Sequence, residues 1–266
     1  MARKYKDPWK RLDLIDEAQR RTKKFISKIK GLVQRNDFSL ILAPGNSGLM
    51  MAKVTEFVYE QLKIKIPPIV KIPVYLRDIK GKRIPFDNSV LVPDVKNQIK
   101  NVKDIETVLL VDDELSEKDP KTVRECIKLI QKAGGTKLSE KLTIFIVAEG
   151  QNGKLSKVKS LGGNVRYFPF AKQTKEWAGV SNFVSYSIPW NIQKEVRKFY
   201  SDEKLSAIEI FCSLLGEPTR EKGKLKKGKP YFSYKWTALL KRKIKNFKNL
   251  QKEFENHIKS LIVEIV

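Results

Sequence analysis

The chain has 266 residues, of which 41% are hydrophobic and 32% charged, so it holds enough apolar material for a packed core and global disorder is excluded. Lys and Arg number 54 against 30 Asp and Glu, a formal net charge of +24. Two cysteines, Cys126 and Cys212, and one histidine, His257, exclude a disulfide framework, a cysteine zinc site and a multi-histidine metal site, and fit a reducing, cytoplasmic location.

No apolar run reaches the roughly 18 residues of a membrane span, so no membrane partner is expected. The basic N-terminus lacks the apolar stretch of a signal peptide. Residues 11–35 follow with Leu12, Leu14, Ile15, Ala18, Phe25, Ile26, Ile29 and Leu32 near a 3.6 period, which predicts an amphipathic helix. Phe38 to Ala43 is a short apolar run and predicts a buried strand. Pro44-Gly-Asn-Ser-Gly48 reads as a turn, and Leu49 to Leu62 as a second helix. Residues 69–93 carry two apolar runs around Gly81 and read as a strand pair or long hairpin at a sheet edge. Val108-Leu-Leu-Val111 is the strongest strand signal. Residues 120–133 predict a helix that Gly134-Gly135 ends, and Leu142 to Ala148 another buried strand. A short helix over 154–161 and a strand over 165–168 close this part of the pattern.

Beyond it, Pro189 to Phe199 and Leu205 to Leu215 read as helices, and residues 220–230 as a basic linker. Residues 236–261 predict a long helix whose stripe is Leu240, Ile244, Phe247, Leu250, Phe254, Ile258 and Leu261. Strands alternating with helices predict an α/β fold, a mainly parallel sheet flanked by helices with right-handed crossovers. The expected organisation is a basic N-terminal helix (1–36), an α/β core (37–170), a mixed helical extension (171–219) and a basic linker with an amphipathic C-terminal helix (220–266).

The charge is concentrated at the ends. Residues 1–36 hold 12 basic and 4 acidic side chains, and residues 220–259 hold 14 and 3. One reading is a polyanion partner such as nucleic acid, with Lys224, Lys226, Lys227, Lys229, Lys241, Arg242, Lys243 and Lys245 as the contacts. The plainer reading is solvated helix faces in a lysine-rich composition. Tyr231, Phe232, Tyr234 and Trp236 interleave with these lysines, either as stacking platforms for bases or as anchors of the linker to the core.

The segment that carries chemistry is Glu106 to Ser116. A buried strand ends in two adjacent carboxylates, Asp112 and Asp113, and a helix follows. In open α/β sheets ligands bind at the carboxyl ends of the strands. Adjacent residues on an ending strand point in different directions, so one carboxylate can take vicinal hydroxyls while the other faces solvent or a cation. Taken without a ligand, the pair reads as a polar turn and helix cap.

Val108 to Asp113, with the helix ending in Lys-Ala-Gly, resembles the phosphoribosyl-pyrophosphate (PRPP) motif of type I phosphoribosyltransferases. The resemblance covers roughly 25–170. It implies that Asp112 and Asp113 hold the ribose hydroxyls. It also implies that Gly45, Asn46, Ser47 and Gly48 lie on the pyrophosphate, with Arg77, Lys80, Lys82 and Arg83 in a hood above it. Where the family has Thr-Gly-x-Thr, this chain has Ser116-Glu-Lys-Asp-Pro-Lys-Thr122, without glycine and with Glu117 and Asp119 added. Ser116, Lys118, Lys121 and Thr122 would then take the 5′-phosphate. The resemblance implies Mg²⁺ arriving with PRPP, no direct protein metal site, and a nucleobase-like nitrogen acceptor. No residue is assigned as general base.

Two functional classes follow. One is a phosphoribosyltransferase. The other is a catalytically inactive regulator or scaffold of the same fold, which binds nucleic acid or another polyanion through its basic termini. Oligomeric state, a homodimer included, is left open by the sequence. Ser47 does not sit in a Gly-x-Ser-x-Gly elbow, so serine hydrolysis is not expected. Cys126 and Cys212 lie on apolar faces and read as core, and His257 as a boundary residue. Trp177 and Trp190 read as core or as a base platform.

Overall fold

The computed structural model describes residues 12–72, 88–114, 121–134, 142–150, 164–172, 192, 214 and 245–266. The elements in chain order are α1 (Leu12–Val33), β1 (Leu40–Pro44), α2 (Gly45–Leu62), β2 (Ile69–Ile72), α3 (Asn88–Ile99), β3 (Thr107–Glu114), α4 (Lys121–Gly134), β4 (Thr143–Gly150), β5 (Asn164–Lys172) and α5 (Phe247–Val263). The five strands form one all-parallel sheet in the order β2-β1-β3-β4-β5. The expected α/β sheet flanked by helices is therefore present.

The continuous apolar runs of β1, β3 and β4 are explained by burial on both faces, as parallel sheets require. Ile41, Ala43, Leu109, Val111, Phe145 and Val147 point to one face, which α1, α2 and α5 cover. Leu40, Leu42, Val108, Leu110, Ile144 and Ile146 point to the other, covered by α3 and α4. The period-2 alternation of each strand thus feeds two separate cores.

Both terminal helices belong to the first of these cores. α1 buries Ala18, Phe25, Ile26, Ile29, Leu32 and Val33, and Phe25 meets Phe170 of β5 edge to face at 5.4 Å. α5 buries Phe247, Leu250, Phe254, Ile258, Leu261 and Ile262 at the expected helical spacing. It packs on α2 and α1 of its own chain. Lys30 of α1 donates to the carbonyl of Ile265 at 2.8 Å, and Lys23 pairs with Glu264 at 2.5 Å. Ile192 and Leu214, from the expected helices over 189–199 and 205–215, are buried in the same core. The rest of those two helices, the 154–161 helix and residues 220–244 lie outside the described residues. No helix among the described residues is long and apolar enough to cross a membrane.

Two local expectations are corrected. Ser89-Val-Leu-Val92 is not the second strand of a hairpin but the start of α3. Leu91, Val95 and Ile99 recur every four residues and are buried against α4. Pro93 sits exposed inside α3, where it costs the helix one backbone hydrogen bond. The second correction concerns Pro44–Gly48, which is not a free turn. Strand β1 passes directly into α2 at Gly45. Gly45 has φ 64°, a left-handed conformation that reverses the chain in one residue and that glycine adopts without a Cβ penalty.

Candidate functional site at the switch point of the sheet

The order β2-β1-β3-β4-β5 reverses direction between β1 and β3. The crevice outside the carboxyl ends of these two strands is the topological switch point, where open α/β sheets bind ligands. Residues 45–48 follow β1 there, and Asp112 and Asp113 lie in the carboxyl-terminal end of β3.

The structure brings these two groups into contact. The Ser47 hydroxyl donates to Oδ1 of Asp112 at 2.7 Å. The same oxygen accepts the backbone N–H of Asp113 at 2.9 Å. Asp112 is 7% exposed and Asp113 9%, so these carboxylates are held in the crevice rather than displayed on a solvated loop. Asp112 thus engages the first turn of α2.

A β-bulge aims the two acids. On β3 the register runs from Val111, opposite Val147, to Glu114, opposite Glu149. Three steps on β3 match two on β4, which leaves one extra residue in the Asp112–Asp113 stretch. A bulge bends its strand and re-aims side chains, a device common beside functional sites. Nothing in the residue types of this stretch announces it, because a bulge is defined by the partner strand.

Gly48 explains how closely α2 approaches. A Cβ at this position would lie 2.5 Å from Cδ of Pro44, 2.9 Å from the carbonyl carbon of Ala43 and 3.1 Å from the carbonyl oxygen of Val111. The first turn of α2 therefore rests on the ends of β1 and β3. Its amide groups and the positive end of its dipole point into the crevice that holds the acids, an arrangement suited to an anion.

A charged group that the sequence reading missed lies beside this edge. Arg21 of α1 is 2% exposed and forms an ion pair with the buried Glu149, at the end of β4. Arg21 also donates to Glu17 at 2.8 Å and to the carbonyl of Lys172 at 3.4 Å. The signal was present: Arg21 falls between Ala18 and Phe25 on the apolar face of α1, and Glu149 ends a run of apolar strand residues.

Lys121 and Thr122 form the first turn of α4. Ser116, Lys118, Arg77, Lys80, Lys82 and Arg83 lie outside the described residues. Among the basic candidates of the C-terminal region, Lys245 is exposed, while Lys224, Lys226, Lys227, Lys229, Lys241, Arg242 and Lys243 lie outside the described residues. The same holds for Cys212, Trp177, Trp190, Tyr231, Phe232, Tyr234 and Trp236.

Cys126 is fully buried in the α4-side core. Burial pushes its thiol well above the usual range, and the carboxylates of Asp112 and Glu125 push it further. A thiol held protonated is a poor nucleophile. In a Cys212→Ala background, Cys126 is expected to resist a thiol-specific disulfide reagent at neutral pH and to react stoichiometrically after denaturation. Rapid reaction of the native protein would show that the packing around Cys126 opens.

Two open cavities of about 570 and 550 Å³ lie at the opposite, amino-terminal edge of the sheet. The first is lined by Lys96, Lys100, Lys103, Asp104 and Glu106, and the second by Arg35, Asp37, Glu106 and Arg166 among others. Their charges are mixed, and neither touches the switch point. The chain matches no protein-family model, no curated protein and no solved structure. The functional reading therefore rests on the geometry of the crevice.

Proposed function

We propose that this is a phosphoribosyltransferase-like protein that binds PRPP with Mg²⁺ and transfers its phosphoribosyl group to a nitrogen nucleophile such as a nucleobase. The observation that supports it most is the Ser47–Asp112 hydrogen bond, which joins the anion-ready turn of α2 to the paired acids at the switch point. A sugar carrying a pyrophosphate needs hydroxyl acceptors and an anion site side by side.

In this reading Asp112 and Asp113 accept hydrogen bonds from the ribose hydroxyls. The amides of Gly45 to Gly48 take the pyrophosphate, and Arg77, Lys80, Lys82 and Arg83 cover it. Ser116, Lys118, Lys121 and Thr122 take the 5′-phosphate. The bond between the anomeric carbon and the pyrophosphate oxygen breaks, a carbon–nitrogen bond forms, and pyrophosphate leaves with the bonding electrons. The positive charge that develops on the sugar lies near two carboxylates, so positioning and electrostatics supply the acceleration.

Among the described residues no group of three or more His, Cys, Asp and Glu is placed to hold a metal by itself. Magnesium often binds largely through substrate phosphates, and in this reading it would arrive on the pyrophosphate of PRPP with no direct protein ligand, while Asp112 and Asp113 take the ribose hydroxyls. When bound, the ion neutralises charge on the leaving pyrophosphate.

Calorimetric titration with PRPP and Mg²⁺ tests the reading. The wild type is expected to bind, and Asp112→Asn/Asp113→Asn to weaken binding at least 100-fold while its thermal unfolding stays cooperative. A wild type that does not bind PRPP overturns the proposal. Pyrophosphate release across a nucleobase panel then identifies the acceptor.

A second reading is a non-catalytic regulator or scaffold that binds nucleic acid or another polyanion through its basic termini. The docking of α5 favours it, because the apolar stripe is consumed internally while the lysine face stays exposed.

A further inference from the structure

We infer that Arg21 is a positioning residue for the crevice: with Glu149 it fixes the end of β4, against which the bulge of β3 aims Asp112 and Asp113. The placement of the acids stands by itself, and its effect on a ligand rests on the PRPP reading.

The observation that carries the inference is a second bulge. On β5 the register runs from Pro169, opposite Ala148, to Lys172, opposite Gly150. Three steps on β5 match two on β4, as they do on β3. Bulges are rare between parallel strands. Here two of them meet β4 from opposite sides within the stretch from Val147 to Gly150. Glu149 closes the first interval and lies inside the second.

Helix α1 holds this point. The Arg21 fork uses each of its nitrogens on a different element. Nε donates to Glu17 of α1 at 2.8 Å, Nη1 pairs with Glu149 of β4, and Nη2 donates to the Lys172 carbonyl at the end of β5 at 3.4 Å. One turn further along α1, Phe25 meets Phe170, which lies in the bulge of β5. Gly150 is closely packed as well: a Cβ there would lie 3.0 Å from the Tyr167 hydroxyl oxygen and 3.1 Å from Cβ of Pro169. The end of β4 is therefore held both by α1 and by its neighbour in the sheet.

The consequence reaches the acids through register. Continued regularly from Val111 opposite Val147, β3 would bring Asp113 opposite Glu149. The bulge gives that place to Glu114 and takes Asp112 and Asp113 out of the regular ladder, with Asp112 on the Ser47 hydroxyl. A shift of one residue along a strand exchanges the faces of its side chains. The aim of both carboxylates thus depends on Glu149 staying where it is, and setting register is the best-attested use of a buried ion pair.

The test uses Arg21→Met/Glu149→Leu, which leaves neither member of the pair as a lone buried charge and is expected to fold. The carboxyl carbons of the aspartates are followed by carbon NMR across pH, with Asp112→Asn and Asp113→Asn for assignment. In the double variant the Asp112 and Asp113 signals are expected to move and to titrate at altered pH. Those of Asp94 and Asp104, on α3 and in the connection from α3 to β3, are expected to stay in place. PRPP affinity is expected to fall about ten-fold, the lower end of what outer partners of binding residues cost. Arg21→Lys keeps the charge but not the fork, so its effect should be smaller, and it supplies the same readings if the double variant does not fold. Unchanged Asp112 and Asp113 signals would overturn the inference and leave the pair a structural one. Movement of all four signals would overturn it too, as a general loosening of the sheet. If the wild type does not bind PRPP, the PRPP reading falls, and the carboxyl signals alone decide the positioning role.

Discussion

Replacing Glu149 with Gln is expected to destabilise the protein by about 3–5 kcal/mol, because it removes the buried carboxylate from its ion pair with the buried Arg21 guanidinium. Arg21 also pairs with Glu17, a half-exposed partner, and makes a long contact to the Lys172 carbonyl. Neither offsets the cost of holding a full charge out of water. For a chain of this size the loss corresponds to a fall in Tm of roughly 6–20 °C. Arg21→Met should cost a comparable amount, since it removes the cation paired with the buried Glu149 carboxylate.

The double variant Arg21→Met/Glu149→Leu separates the pair from its surroundings. Apolar replacement of both partners removes the desolvation cost together with the attraction, so the double variant should lie within about 1–2 kcal/mol of the wild type. Chemical denaturation of the wild type, Arg21→Met, Glu149→Leu and the double variant gives the coupling energy directly. A Glu149→Gln variant as stable as the wild type would show that Arg21 reaches solvent when its partner is lost. The pair matters beyond stability because it ties α1 to the end of β4, next to the edge that carries Asp112 and Asp113.

Gly48→Ala should be the most damaging single-methyl change at the crevice. Its Cβ would meet the Pro44 ring and backbone atoms of Ala43 and Val111, none of which is the free end of a flexible side chain. α2 must then move away from the ends of β1 and β3. The expected cost is about 1–3 kcal/mol from overpacking, and Gly48→Val should exceed it. Lifting α2 also stretches the 2.7 Å Ser47–Asp112 hydrogen bond, so PRPP affinity should fall together with stability.

Gly31→Ala in α1 is the control. There the added Cβ meets only the guanidinium end of Arg35 at 3.2 Å, which can swing aside. Alanine in a helix interior is worth up to about 1 kcal/mol over glycine, so this change should be neutral or stabilising. Urea midpoints with unchanged m-values would report both effects cleanly. A Gly48→Ala variant with wild-type stability would mean that α2 sits less tightly on the sheet than the structure places it.

What the sequence determined by itself was whatever depends on residues close together along the chain. The apolar runs of β1, β3 and β4 required burial on both faces, and that burial implied a parallel sheet with helices on either side. The stripe from Phe247 to Leu261 was legible because a helical period needs no partner to be seen. Asp112 and Asp113 stood out as charges ending an apolar strand.

The tertiary structure decided what depends on a partner distant in sequence. The start of α3 was misread as a strand because Val90, Leu91 and Val92 form a short apolar run, and only packing against α4 selects the helical spacing of Leu91, Val95 and Ile99. The bulge at Asp112–Asp113 exists only relative to β4. The Ser47–Asp112 bond spans 65 residues and the Arg21–Glu149 pair 128, and no local pattern encodes either match. The chain order could not say that β1 and β3 are neighbours. That adjacency, created when the crossover through β2 places β3 on the far side of β1, turns a glycine-rich helix start and two carboxylates into one crevice.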